Sequence, residues 1–402
     1  MSDSKFDIIL YGATGFTGKL TAAYLDQHLE LAGRKWAIAG RNRASLEAVR
    51  KTLRSDSVEI IVCPLDESAP VKEMVRSAHM VITTAGPFSA YNGDILLAAC
   101  AEEGTHYSDL SGEGFWQREM IDTYHETAKA SGAKIILGGG VDSIPSDLGV
   151  FLALKQLGVS SGNNTRVYIT GVYTEYSGSF SGGTLASGRA REKALESGRL
   201  TETAMHDPYI LAPGRKARPD EEATLDGMPE NFRIRFEPAH GALIPFFMAD
   251  VNAPIVRRTL ALDGLCEKIT YRECCSVGMW AKAAWLYISR GFGYPMGEPI
   301  NFNPKSGEGP PRWLLEQGQF ALNIFARTED GRKARVVVKG KGDPGYGATS
   351  KMLAELALCV IGKRSGKPDS TGLITPAIAL GDALVQQLQS AQNGKYMQFK
   401  IN

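Results

Sequence analysis

FDIILYGATGFTGKL, Phe6 to Leu20, followed by WAIAGRNR, Trp36 to Arg43, is the stretch that decides the fold. The apolar run Ile8-Ile9-Leu10 reads as a buried strand that feeds a glycine-rich turn. A helical pattern follows to about Leu31, and Trp36 to Ala39 reads as a second strand. Strand, glycine turn, helix and strand in this order make a βαβ unit of the dinucleotide-binding kind. Glycine serves three needs there: a tight turn, close approach of backbone amides to a pyrophosphate, and close helix–strand packing. The phosphates then sit on the unpaired N–H groups that open the helix. Gly12, Gly15 and Gly18 are spaced GxxGxxG rather than GxGxxG, which suits a slightly longer phosphate loop.

The end of the second strand indicates the cofactor. An acidic residue at that place binds the ribose hydroxyls of NAD, whereas arginine accommodates the 2′-phosphate of NADP. This chain has Gly40-Arg41-Asn42-Arg43 and no carboxylate. A guanidinium at Arg41 can hold a phosphate bidentately and stack on adenine, so NADP(H) is the expected cofactor.

A chain of 402 residues is long enough for two domains. Its 45 basic and 44 acidic residues nearly cancel without a dense basic block, which argues against nucleic acid as a partner. The six cysteines show no CxxC pair and no metal-ligand spacing. They read as small buried hydrophobes in a reducing compartment. No metal is expected. The first strand begins almost at once, leaving no room for a leader, and no apolar span is long enough to cross a membrane. A cytoplasmic location is the expectation.

The αβ rhythm continues through Ala44–Leu53, Val58–Cys63, Ala69–Ser77, Met80–Thr84, Asp94–Glu103, His106–Asp109, Phe115–Ala130 and Lys134–Leu137. Such alternation implies a doubly wound parallel sheet, with ligands at the carboxyl ends of its strands. Asp66, the turn Ala85-Gly86-Pro87-Phe88, Asp109 and the turn Gly138 to Asp142 fall at that edge. Asp66 is expected near the adenine and the later turns nearer the nicotinamide. After Asp147 the texture changes: a helix to about Leu157, a β-rich stretch from Arg166, and a polar helix near Thr184–Ser197. A charged, proline-bearing surface loop is expected over Pro213–Pro229. Phe320–Arg327 and Arg332–Lys339 form the clearest hairpin. Ser350–Ile361 and Thr375–Gln389 read as helices.

The GATGFTG form also occurs in short-chain dehydrogenases, which use a Tyr-x-x-x-Lys pair. Here that spacing occurs only at Tyr396 and Lys400, far from the nucleotide-binding region, so that family is rejected. Instead the chain resembles the saccharopine dehydrogenase-like oxidoreductases, and within them the trans-acting enoyl reductases. The resemblance covers nearly the full length. It rests on YGATGFTG (Tyr11–Gly18), AGRN (Ala39–Asn42), AGPFSAYNG (Ala85–Gly93), ACAEEGTHYSDLSGE (Ala99–Glu113), GVDSIPSDLG (Gly140–Gly149), SGGT (Ser181–Thr184), PFFMADVNAPIVRRT (Pro245–Thr259) and GDPGYGATSKMLAE (Gly342–Glu355).

The resemblance implies an α/β chain: an N-terminal Rossmann-type sheet, a C-terminal α+β domain, and C-terminal helices packing back on the first. The expected divisions are 1–145, 146–345 and 346–402. The cofactor site is expected at Gly12, Ala13, Thr14, Gly15, Phe16, Thr17, Gly18, Arg41, Asn42, Arg43, Asp66, Ala85, Gly86, Pro87 and Phe88. The resemblance further implies reduction of a carbon–carbon double bond in an acyl or polyketide-type substrate. Hydride would reach the β-carbon, while a hydroxyl or amide stabilises the enolate and a donor protonates the α-carbon. Tyr91, Ser143 and Tyr346 are the candidate catalytic residues, with Tyr107 beside them. Asp109 and Asp142 are expected to hold loops, and His106 and His240 to be structural. Met279 to Tyr287, continuing to Phe292 and Tyr294, is dense in aromatics and offers an acyl groove, a lipid surface or a packed helix. Imine reduction of the saccharopine type, or lipid-surface binding without turnover, are the alternatives. A carrier-bound substrate and a homodimer are left open.

Overall fold

The computed structural model describes residues 6–28, 33–162, 165–179, 181–205, 207–212, 214–215, 234–238, 240–290, 303–305, 307–362 and 370–402. The loop expected over Pro213–Pro229 lies outside them, Gly214 and Arg215 apart; Phe292 and Tyr294 also lie outside.

The first sheet is built from β1 (Phe6–Tyr11), β2 (Trp36–Gly40), β3 (Glu59–Val62), β4 (Ala78–Thr83), β5 (His106–Ser108) and β6 (Lys134–Ile136). Its spatial order is β3-β2-β1-β4-β5-β6, every pair parallel, with β13 (Gly372–Ile374) added beside β6. That is the dinucleotide-binding order, which reverses between β1 and β4 and so opens a crevice at their carboxyl ends. Ile8, Ile9 and Leu10 are fully buried, as a strand covered on both faces requires.

The second sheet is mixed, in the order β14-β12-β11-β7-β10-β9-β8. Its strands are β7 (Val167–Tyr176), β8 (Arg235–Glu237), β9 (Gly241–Pro245), β10 (Ile269–Ser276), β11 (Gln319–Thr328), β12 (Lys333–Lys341) and β14 (Met397–Ile401). The expected hairpin is β11–β12, in register from Gln319↔Lys341 to Arg327↔Lys333. The helix Ile144–Gln156 packs on β11 and β12 and also on the helix Ala249–Leu262. One contiguous apolar core therefore runs from β1 and β4 through this helix to β7, β11 and β12.

The C-terminal segment does more than return as helices. The helix Thr349–Ile361 packs on the first helix, Phe16–Gln27, while β13 and β14 add one strand to each sheet. The helix expected over Thr375–Gln389 is two, Pro376–Ala379 and Asp382–Gly394, broken where Gly381 takes φ 48°. Buried Glu355 ties the pieces together, accepting hydrogen bonds from Tyr24 and from Gln387 Nε2 (2.6 Å).

A second buried carboxyl makes a similar joint. Asp147 accepts from Thr259 Oγ1 and from the Ala377 backbone N–H (2.8 Å), joining the helix Ile144–Gln156 to the C-terminal segment. Asp147→Ala leaves the Ala377 N–H buried and unpaired and Thr259 with Thr375 Oγ1 alone, so a loss of about 2 kcal/mol is expected in urea unfolding at an unchanged m-value.

Candidate active site: a cleft at the carboxyl edge of the parallel sheet

The turn after β1 is shaped by its glycines. Gly12 has φ 81°, and a Cβ there would stand 2.8 Å from the Ala85 backbone N. A Cβ on Gly18 would stand 2.2 Å from the Gly12 carbonyl oxygen. The first position is a tight turn and the second a close helix-to-loop contact, as a phosphate loop requires. Gly15 precedes the helix Phe16–Gln27 with extended φ/ψ and no side-chain cap, so the opening N–H groups are left to a ligand. Thr84 Oγ1 donates to the Gly12 carbonyl (3.1 Å), which ties the loop to the end of β4.

At the end of β2 the three polar residues separate by role. Asn42 Oδ1 accepts from the Ser45 N–H (2.9 Å) and caps the next helix. Arg43 lies 3.9 Å from the Glu47 carboxylate on that helix. Arg41 is exposed and makes no hydrogen bond or ion pair among the described residues. The Arg41 charge and the Asp66 carboxylate act in opposite senses on the Tyr11 phenol, which donates to the Cys63 carbonyl (2.8 Å). Both thus stand beside the same strand ends. A free guanidinium next to a glycine cradle fits NADP(H).

The turn Ala85–Phe88, with a cis bond between Gly86 and Pro87, is held from an unexpected quarter. Buried Glu113 accepts from the N–H of Phe88 (2.8 Å) and of Ser89 (3.0 Å). Beneath it, Tyr107 donates to Asp109 (2.9 Å), and Asp109 accepts from the Ser111 N–H (3.1 Å). Burial pushes the Asp109 carboxyl up to about 6, against the hydrogen bonds that favour its charge. Asp109 therefore has the loop-holding role expected of it, and Tyr107 is fully buried with its hydroxyl engaged. His106 is structural as well: its ring accepts the Lys134 N–H (3.1 Å), and burial pushes its pKa down to about 4.

A cleft of about 430 Å³ opens where the two sheets meet. Thr17, Thr84, Gly86 and Phe88 line it from the nucleotide side, and Ser181, Thr184, Tyr346 and Asp142 from the other. Leu110, Phe115, Leu200, Met205, Phe247 and Met248 give it an apolar wall. A concave, mostly apolar site with a few convergent polar groups is what a small-molecule substrate needs.

Three of the polar groups are distinctive. Tyr346 sits in a π-turn, Pro344–Ala348, folded around buried Asp343, which accepts from the N–H groups of Ser179 (3.2 Å), Tyr346 (2.7 Å) and Gly347 (3.4 Å). Its ring meets Phe16 of the glycine loop edge-on at 5.4 Å, and its hydroxyl accepts from the Ser181 N–H and bonds Thr184 Oγ1. Asp142, half-buried, faces the cleft without a hydrogen-bond partner among the described residues. The loop-holding role expected of Asp142 is not what its carboxyl does. Burial first, and then the carboxylates of Glu273 and Asp250, push it up to about 7. Its neighbour Ser143 takes φ 148°, a conformation costly for any residue but glycine.

The other expected catalytic positions fall outside the cleft lining. Tyr91 is 53 % exposed, and Ser143 is fully buried with no partner for its Oγ among the described residues. His240 lies against Phe325 (4.1 Å between rings) in a second concavity on the bare face of the second sheet. No element of the nucleotide loop lines that concavity. Sequence reasoning gave no role to Glu113, Thr184 or Asp343. Their signal was weak, a lone acid or hydroxyl in loops of SGE, SGGT and GDPG.

Comparison with known proteins bears on what this cleft does. Residues 8–136 match the saccharopine dehydrogenase NADP-binding domain. The chain is 36 % identical to a putative trans-acting enoyl reductase of Mycobacterium tuberculosis, over 96 % of both chains. It is 34 % identical to a trans-acting enoyl reductase of Mycobacterium bovis, over 97 % of both. The chain belongs to the trans-acting enoyl reductase family. The match places an NADP-binding domain on the glycine loop and Arg41, and the family is one of NADP(H)-dependent oxidoreductases. The fold also resembles the L-Glu-forming saccharopine dehydrogenase of Saccharomyces cerevisiae, with a TM-score of 0.51 at 11 % identity over 99 % of this chain and all of that one. The family's two-sheet architecture is thus shared well beyond detectable sequence similarity.

Proposed function

We propose that the cleft reduces the α,β-double bond of an acyl or polyketide-type substrate at the expense of NADPH. The observation that carries this reading is the pairing, in one cleft, of an apolar wall with a carboxyl poised near neutrality and a linked hydroxyl pair. The mycobacterial relatives named for enoyl reduction support it.

NADPH, when bound, supplies a hydride. Gly12 to Gly18 would hold its pyrophosphate and Arg41 its 2′-phosphate, with Ala85 to Phe88 bordering the cleft beyond them. Asp66, beyond β3 and within electrostatic reach of Tyr11, would face the adenine end. The Tyr346 hydroxyl accepts from the Ser181 N–H and is hydrogen-bonded to Thr184 Oγ1, a pair in which either hydroxyl can donate. Both residues line the cleft, and the pair offers a hydroxyl proton to the substrate carbonyl oxygen as negative charge grows there. Asp142, protonated in part at neutral pH, delivers a proton to the α-carbon. The apolar wall from Phe115 to Met248 excludes water and holds the chain.

Tyr346→Phe removes one partner of the hydroxyl pair but leaves Thr184. A fall in kcat of about tenfold with little change in NADPH affinity is expected from steady-state kinetics.

The proposal is tested by following NADPH oxidation with medium- and long-chain 2-enoyl thioesters. A parallel assay mixes amino acids with 2-oxo acids, which present an imine instead. Turnover of the enoyl thioesters alone supports the reading, and turnover of the imine mixture alone overturns it. Among the described residues the cleft offers no cluster of arginines for an amino-acid substrate: Arg191 is the one arginine described in its lining, and it lies 3.3 Å from Asp250.

A further inference from the structure

The helix Val277–Arg290, which follows β10, carries its apolar side outward. Val277, Trp280, Trp285 and Ile288 are 42, 52, 73 and 65 % exposed, and Ala281 and Ala284 are exposed between them. At 100° per residue these six fall within one arc of about 140°, and the arc holds no charge. Met279 and Ala283, on the opposite side, are buried and anchor the helix. Lys282 stands at the border of the arc, bound to Glu175 on β7 (2.8 Å). A surface helix ordinarily turns its polar side to water, and contiguous exposed apolar patches mark contact surfaces.

The arc is continuous with the cleft. The Trp280 ring lies 6.5 Å from that of Phe247, and Phe247 and Met248 line the cleft wall. Phe247 is itself 42 % exposed. An apolar path therefore leads from the outward face of the helix into the site.

We propose that this face docks on the surface of a lipid bilayer, with Trp280 and Trp285 at headgroup depth and the cleft mouth turned to the acyl region. Indole rings favour that depth because one edge is apolar and the N–H is polar. A second copy of the chain is a poorer occupant, since a stable dimer needs about 20–30 residues on each side and this arc supplies six. No helix among the described residues is long and apolar enough to cross a membrane, so the chain lies on the bilayer rather than in it. The docking rests on the acyl-substrate reading for its purpose: a chain drawn from the bilayer enters along Phe247 without crossing water.

The test is co-sedimentation of the full chain with phosphatidylcholine vesicles, with and without phosphatidylglycerol, in parallel with light scattering of the free protein. Trp285→Ser/Ile288→Ser alters only exposed side chains, and NADPH titration checks that the variant is folded. Vesicle binding that weakens by roughly tenfold or more in the variant is the expected result. A blue shift of tryptophan emission should accompany binding by the native chain. Absence of binding, or equal binding by the variant, overturns the proposal. A native dimer that becomes monomeric in the variant also overturns it, by assigning the face to a second copy. Vesicle binding is read without turnover, so a chain that binds vesicles but leaves enoyl thioesters untouched would sink the acyl reading alone.

Discussion

Asp142→Asn is expected to lower kcat by about 10²- to 10⁴-fold, the usual worth of a positioned general acid. The side chain keeps its size and stays in the cleft but no longer gives up a proton on the reaction's timescale. The native enzyme should lose activity as pH rises through about 7, because burial and the nearby Glu273 and Asp250 carboxylates hold this carboxyl protonated up to that point. The residual activity of the variant should lack that limb. Stability should respond to pH through the same group. A carboxyl whose folded pKa is raised from 3.8 to about 7 binds its proton more tightly in the native state. Its contribution to stability is full below the unfolded value and is lost as pH rises through the folded one. Asp142→Asn removes that loss, so at pH 8 the variant should melt no lower than the native protein. A merely structural carboxylate would give the reverse: a destabilised variant whose pH profile of activity is unchanged. Thermal melts at pH 5 and pH 8, set beside kcat profiles, separate the two.

Arg41→Ala is expected to weaken NADPH binding by about 10²-fold and to leave NADH binding nearly unchanged. The 2′-phosphate is the one group that distinguishes the two nucleotides at this edge of the site. Arg41 stands there exposed and without a partner among the described residues, whereas Arg43 faces Glu47 and Asn42 is committed to a helix cap. Arg41→Lys should recover only part of the loss, since an ammonium cannot offer the forked pair of donors. Arg43→Ala should change NADPH affinity by about threefold or less, as expected of an exposed ion pair on a helix. Fluorescence titration of both nucleotides against the three variants reads all of this directly.

The sequence carried the nucleotide half of the molecule well, for a physical reason. A parallel sheet buried on both faces demands continuous apolar strands, and a phosphate loop demands glycine where a Cβ would collide, as at Gly12 and Gly18. Both leave local marks. The second sheet was harder to read. Its edge strands, β8 and β14, and the neighbouring β9 are short, and β10 takes its identity from pairing with β7, which lies far away in sequence. The same is true of β13, three residues whose strand character comes from β6.

Polar roles in the cleft were the least legible. Tyr91 and Tyr346 look alike as tyrosines in glycine-bearing loops, yet one is turned to solvent and the other is held against Phe16 by the turn around Asp343. Asp109 and Asp142 likewise follow successive strands. Only the partners around them show that Asp109 braces Ser111 while Asp142 is left facing the cleft. Such distinctions depend on which side chains from distant segments arrive at the same place, and spacing along the chain does not record that.

The central claim is conjugate reduction in this cleft, and reaction in D₂O with NADPH and a 2-enoyl thioester tests it most directly. The account predicts a saturated thioester carrying one solvent deuterium at the α-carbon and none at the β-carbon. Deuterium at the β-carbon, or oxidation of NADPH without any saturated product, would contradict it.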